Sequence, residues 1–333
     1  MRKIVFIFIA LIAIGQNVCA QGMTATLQSG DNLSVFYGVD AFIEAYSEAK
    51  DGDQITLSAG TFDAPIESIT KSVKITGVGA YEGSAVAVFA SLTASGKNIR
   101  IEGIKFTNKL YVSGSTNLIV TRCWIEELNA NSNYTNALFD QCVCKNIDGM
   151  PYASGFTFKN CTINKFSSTN SVLSLGLISN CVIYYYGYHY AYAKDKNSQP
   201  YAVYKNNVLG TYFYSRFLDN HNQIPCQAPS EYYNNVGINM VAGCEESIYF
   251  SATGCVSSGN IIKTYTELFG GKENYPAKPQ NAPYGDDGTV VGPYGGTGFS
   301  EYPAIPRIIS KDIDGKTDED GKINVKIEVK AEN

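Results

Sequence analysis

The chain has 333 residues and a net charge of −5, from 26 Lys and Arg against 31 Asp and Glu, with the basic residues scattered rather than clustered. That balance argues against nucleic acid or an anionic membrane surface as the partner and leaves neutral glycans open. Beyond the first residues no stretch is apolar enough to cross a bilayer, so no membrane span is expected.

Arg2 and Lys3 precede an apolar run from Ile4 to Ile14, and Val18-Cys19-Ala20 precedes Gln21. Such a run is too short to span a membrane and has the length of a signal-peptide core. Cys19 invites a lipoprotein reading, but Gln16, Asn17 and Val18 lack the small residues such a site prefers. Residues 1–20 are therefore expected to be a signal peptide cleaved after Ala20. The mature protein is expected to be exported, whether periplasmic, surface-held or secreted. Export permits disulfides, and any bridge is expected among Cys226, Cys244 and Cys255.

Residues 21–62 read as an N-terminal cap. Val39, Phe42, Ile43 and Tyr46 recur at helical spacing, Asp51-Gly52-Asp53 stops the helix, and Gln54 to Leu57 follows as a strand. Residues 63–268 carry a repeat. Cys123, Cys142, Cys161, Cys181, Asn207, Asn235 and Asn260 return at intervals of 19, 19, 20, 26, 28 and 25 residues. A repeat of that size is one coil of a solenoid. Three positions before these markers stand Val120, Phe139, Phe158, Ile178, Tyr204 and Tyr232; five after stand Leu128, Ile147, Phe166, Tyr186, Tyr212, Met240 and Tyr265. Two after are Ile125, Cys144, Ile163 and Ile183, and at plus four lie the mostly polar Glu127, Asn146, Lys165, Tyr185, Thr211, Asn239 and Thr264. Rows at fixed offsets predict that like residues stack from coil to coil, on short strands alternating in and out.

The pattern extends upstream through Val73, Ile75 and Val78, then Ile99, Ile101, Ile104 and Phe106. About nine rungs at roughly 4.8 Å spacing would make a rod roughly 40 Å long. The marker positions are expected at tight corners, where Cys and Asn are small and Asn tolerates left-handed backbone. Stacked Asn amides can pair as a ladder, and the Cys residues read as small buried packing units.

Gly52-Asp-Gln-Ile-Thr-Leu-Ser-Ala-Gly-Thr-Phe62 after an amphipathic helix, with Ile99-Arg-Ile-Glu-Gly-Ile-Lys-Phe106 and Phe158-Lys-Asn-Cys-Thr-Ile163, resembles the right-handed parallel β-helix proteins of the pectin-lyase-like superfamily. The resemblance covers roughly residues 38–266. It implies an all-β, right-handed parallel β-helix solenoid with a helical N-terminal cap and a C-terminal extension. On activity it is almost silent, because this fold hosts lyases, hydrolases, esterases and non-catalytic binders.

Candidate chemistry divides by place. The superfamily's lyases use acidic residues to hold Ca²⁺ and an Arg or Lys to take a proton. Cys123-Trp124-Ile125-Glu126-Glu127 resembles the corresponding W-I-D-H strand, which makes Glu126, Glu127 and Lys145 the catalytic candidates. The acidic ladder and the downstream Arg pair of those enzymes are missing. A Glu–Lys pair on adjacent coils also reads as a solvated cross-strand ion pair. Only His189 and His221 exist as histidines, Asp140 and Asp148 stand isolated, and no Gly-x-Ser-x-Gly turn starts an esterase site.

Where the repeat lengthens, the chain reads Tyr184-Tyr185-Tyr186-Gly187-Tyr188-His189-Tyr190-Ala191-Tyr192. Tyr186, Tyr204 and Tyr212 are core by register. Tyr184, Tyr185, Tyr188, His189, Tyr190, Tyr192 and Tyr201, with Arg216 from the next loop, are the ligand-binding candidates. Planar rings stack on sugar faces and the hydroxyl supplies a polar handle; such rings can also pack only on one another.

Residues 269–333 change texture. Pro276, Pro279, Pro283, Gly292, Pro293, Gly295, Gly296, Pro303 and Pro306 predict an extended segment that runs along the rod or leads away from it. Val290 to Ile308 resembles the ending of secreted β-helix proteins from Bacteroidetes, and Ile323 to Val329 alternates like a strand. Asp318, Asp320 and Gly321 suggest a Ca²⁺ loop, but Lys316 and Ile327 stand where its first and closing ligands belong. No metal site and no cofactor are expected, Ca²⁺ entering only under the lyase alternative.

The expected function is non-catalytic binding of a polysaccharide, or a surface scaffold, through a Tyr-rich lateral face. The alternatives are a polysaccharide lyase or glycoside hydrolase with a divergent site, and an adhesion protein whose partner is another protein.

Overall fold

The structure, a computed structural model, describes residues 22–81, 85–130, 134–148, 153–166, 176–186, 202–210, 230–239, 256–270, 279–302, 307–313 and 325–330. Over these residues the chain is mostly strand, gathered in two long sheets of 12 and 10 strands. From Gln54–Leu57 onward the strands of the first sheet are Lys74–Thr76, Arg100–Glu102, Ile119–Thr121, Leu138–Asp140, Thr157–Lys159, Gly176–Ser179, Ala202–Lys205, Glu231–Tyr233 and Val256–Ser258. The second sheet runs Gly60–Phe62, Ala87–Ala94, Ile104–Val112, Trp124–Ala130, Val143–Asp148, Thr162–Phe166, Val182–Tyr186, Val208–Leu209, Val236–Asn239 and Ile261–Thr264. Each repeat gives one strand to each sheet. Neighbouring strands pair in parallel, an arrangement compatible with a parallel β-helix.

The row minus three from the markers proves the stacking. Phe139 pairs with Phe158 and Phe158 with Ile178. The rings of Phe139 and Phe158 lie 4.9 Å apart at 12°, and those of Tyr204 and Tyr232 4.7 Å apart at 4°. These side chains are fully buried in one apolar core between the sheets. Each buried ring contributes about 2–3 kcal/mol relative to exposure.

Alternation fails at one place. Between the inward plus-two and plus-five rows two consecutive residues face outward, and a bulge separates Ile125 from Glu127. The plus-four row nevertheless keeps register, Glu127 opposite Asn146, then Lys165, then Tyr185. At Tyr265 the plus-five row ends, because that residue opens the helix Tyr265–Phe269.

The corners correct the sequence reading by one position. Left-handed backbone belongs to the residue before each marker: Arg122, Gln141, Asn160, Asn180, Asn206 and Asn234, at φ between 51° and 56°, with Gly103 and Gly259 at the same point. Asn and Gly adopt this conformation at little cost, whereas Arg122 and Gln141 each give up about 1–2 kcal/mol. The markers themselves point inward. Cys142 and Cys161 thiols bond the carbonyls of Val120 and Phe139 at 3.4 and 3.3 Å. Farther along, the Asn207 and Asn235 amides donate to Asn235 Oδ1 and Asn260 Oδ1 at 3.0 and 2.9 Å, forming the expected ladder. A second corner carries Asn98, Asn117 and Asn136, also left-handed and also amide-linked.

At the N-terminal end the hairpin Thr24–Ser29 and Asn32–Tyr37 extends the first sheet in antiparallel fashion. The helix Ala41–Glu48 buries Ala41, Phe42 and Ala45, and Phe42 meets Phe89 edge-on at 4.9 Å.

The Gly/Pro-rich segment takes the first of its two expected paths. Residues 279–302 run back along the outside of the repeats, gripped by the left-handed corner residues. Asn206 Nδ2 donates to Asp286 (2.9 Å), Asn180 Nδ2 to Asp287 (3.3 Å) and Asn160 Nδ2 to the Pro293 carbonyl (2.8 Å). The Ser300 N–H then reaches Gln141 Oε1 at 3.2 Å. This strap covers an apolar stripe on the outer face: Val182, Val208, Val236 and Ile238 lie under Leu268, Phe269 and Val291, and Val143, Tyr81 and Trp124 lie near Phe299. A two-stranded antiparallel pair, Arg307–Ile313 with Val325–Lys330, follows.

Candidate functional site

Tyr188, His189, Tyr190, Tyr192, Tyr201 and Arg216 lie outside the described residues. The cysteines favoured for a bridge, Cys226, Cys244 and Cys255, lie outside them too, as do residues 1–20 and the acidic turn at 314–324. Tyr185 is placed by its backbone, opposite Lys165. Tyr184 is a correction. It does face away from the core, as its register requires, yet it is only 3% exposed. Its ring is tilted against Phe269 with centroids 5.9 Å apart, so no open face is offered to a sugar. The helix Tyr265–Phe269 and the strap, not the row pattern, decide this.

The lyase candidates share the outer face of the second sheet but do not converge. Glu127 pairs with Lys109 of the preceding strand at 2.8 Å, rather than with Lys145. That bond holds the Lys109 ammonium above its ordinary range. Lys145 instead sits 5.1 Å above the Trp124 ring, with Lys105 at 5.7 Å from the same ring. Glu126 is exposed on the bulge. The same face carries Tyr111, whose ring lies 5.8 Å from Lys109, and Asn146, which reaches the Glu126 carbonyl at 3.5 Å. The result is a ribbon of ammonium, carboxylate, amide and aromatic groups repeating at the strand spacing.

A second cluster was missed by the sequence reading, which took Asp140 as isolated. On the outer face of the first sheet Glu102, Thr121, Asp140 and Lys159 occupy one register row. Arg122 leans into it, donating from Nη1 to Glu102 Oε1 at 3.2 Å and from Nε to Gln141 Oε1 at 3.0 Å. Lys74 approaches Glu102 at 3.7 Å. Burial pushes the Asp140 carboxyl up to about 6, against the opposing pull of Lys159 and Arg122. Its Oδ1 is buried with no hydrogen-bond partner among the described residues. The signal was available: Glu102, Asp140 and Lys159 share the offset two before their marker positions.

Among the described residues no group of three His, Cys, Asp or Glu side chains is placed to hold a metal ion. The described cysteines are free and buried, and burial raises the Cys123, Cys144 and Cys161 thiols far above their ordinary range. Those three thiols are therefore poor nucleophiles and poor ligands.

Fold and site together define an all-β protein of long parallel sheets with a polar, aromatic outer face. No protein-family model, curated protein or solved structure matches the chain.

Proposed function

We propose that this chain is a right-handed parallel β-helix of about nine rungs, of the pectin-lyase-like kind, that is exported and binds polysaccharide without cleaving it. The observation that carries the reading is the ribbon on the second sheet. Tyr111, Lys105, Lys109, Glu127, Lys145 and Asn146 lie on three neighbouring strands spaced about 4.8 Å apart, a lateral surface suited to an extended polymer. The Tyr-rich sequence around Tyr188 and Tyr190 offers further rings of the kind that stack on sugars. The test is a glycan array probed with the mature protein, followed by Tyr111→Ala and by Tyr188→Ala with Tyr190→Ala. Loss of binding of tenfold or more is expected; unchanged binding in all variants rejects the lateral surface.

A second reading, glycoside hydrolysis, is favoured by Asp140 alone. A carboxyl that keeps its proton up to about 6 can serve as general acid. Glu102 stands two strands away in the same row, about 9.6 Å by strand spacing, near the upper limit of roughly 6.5–9.5 Å for an inverting pair. Release of new reducing ends from a polysaccharide, abolished by Asp140→Asn, would establish it. The lyase reading would bring Ca²⁺, but the donors do not fit, because Glu127 is held by Lys109 and Glu126 stands apart on the bulge. Polysaccharide incubated with Ca²⁺ and showing no ultraviolet absorbance of an unsaturated product agrees with that.

A further inference from the structure

The two ends of the first sheet are unlike in chemistry but alike in having no further strand beside them among the described residues. At one end stands Asn32–Tyr37, paired only with Thr24–Ser29 among the described residues. It is antiparallel to that strand, which is itself antiparallel to Gln54–Leu57. Two reversals leave Asn32–Tyr37 running in the same direction as the parallel strands beyond. Leu33, Val35 and Tyr37 point outward from it, Leu33 at 67% and Tyr37 at 70% exposure. Its six residues carry no charge and no proline, and its register is unbroken by a bulge. Those are the devices that normally guard a sheet edge.

At the other end Val256–Ser258 closes the first sheet and Ile261–Thr264 the second. Ile262 continues the inward row of Ile125, Cys144, Ile163, Ile183 and Leu209, all fully buried, yet it is 53% exposed. The helix that follows does not cover this end, because its Leu268 and Phe269 turn onto the outer stripe. The Asn ladder stops here as well. The N–H groups of Cys181, Asn207 and Asn235 each donate to the Asn Oδ1 of the next repeat, at 2.8, 3.0 and 2.9 Å, and Asn260 is the last such residue described.

We infer that copies of this chain associate head to tail, Asn32–Tyr37 of one copy adding in parallel to Val256–Ser258 of the next. The occupant follows from polarity and from what is left bare. A copy translated along the stack presents a strand of matching direction and covers both open edges at each contact. A two-fold contact between like ends would cover only one of them. A heterologous contact of this kind does not close and grows as a filament.

The test uses the mature chain and two charge variants, Val35→Glu at the head and Val256→Glu at the tail, in sedimentation velocity over a concentration series. The wild type grows in mass with concentration, and each variant alone stays monomeric. An equimolar mixture of the two gives a species of twice the monomer mass that grows no further, because the one good tail and the one good head are used in that contact and only blocked ends remain. A wild type that is monomeric throughout, a mixture that stays monomeric, or association lost in only one variant overturns the inference. Circular dichroism confirms that each variant folds, and Tyr37→Lys with Ile262→Lys repeat the experiment if either does not.

Discussion

Asp140 shows how one residue is set by its neighbours in the stack rather than in the chain. Phe139 beside it is inward and fully buried, which holds the carboxylate against the sheet's outer surface with one oxygen buried and without a hydrogen-bond partner among the described residues. A folded-state value of about 6 lies above the ordinary carboxylate value, so the native state binds the extra proton. Its contribution to stability is therefore greatest below about pH 4 and is lost as pH rises through 6. Thermal unfolding from pH 4 to 8 is expected to show this loss in the wild type. In Asp140→Asn it is expected to be absent, with the variant more stable at pH 8 by about 1 kcal/mol after solvent screening is allowed for. Equal pH profiles for the two proteins would mean that Asp140 is solvated.

At the scale of an element, the strap is the feature with most consequence. Its own backbone bonds close only a short antiparallel bridge between Tyr284 and Val290 and a few turns. It is held to the repeats by side chains whose backbone is left-handed for another reason. Asn160, Asn180 and Asn206 turn the corner, and because they turn it with an amide they also hold the strap. Beneath it lie Val182, Val208 and Val236, outward residues that would otherwise face water. Val291→Asp places a charge in that contact. It is expected to cost about 2–4 kcal/mol and to open residues 279–302 to proteolysis while the repeats stay folded. Digestion that starts instead within the repeats would show that the strap is not a separable layer.

At the scale of the whole molecule, stability is a sum over stacked neighbours, since each repeat meets chiefly the one before and the one after. Phe158 stands in the middle of that stack, against Phe139, Phe156 and Phe166. Phe158→Ala is expected to cost about 3–5 kcal/mol, measured by denaturant unfolding. A loss under about 1 kcal/mol would mean that the inner rows do not carry the stack.

The 19- and 20-residue intervals, the inward rows and the helix near Ala41 were all legible in the sequence. A strand fixes side-chain direction locally, and parallel stacking copies each position onto the next at the same offset. The left-handed corner was misplaced by one residue, because Asn and Cys stand side by side there and both suit a tight turn. Three things were decided only in three dimensions: the burial of Tyr184, the pairing of Glu127 with Lys109, and the reach of Arg122 to Glu102 and Gln141. The strap crosses the stack rather than following its period, and ion pairs form between whichever charged ends can reach each other. Periodicity records where a side chain points, whereas what covers it depends on segments 80 or more residues away that carry no period at all.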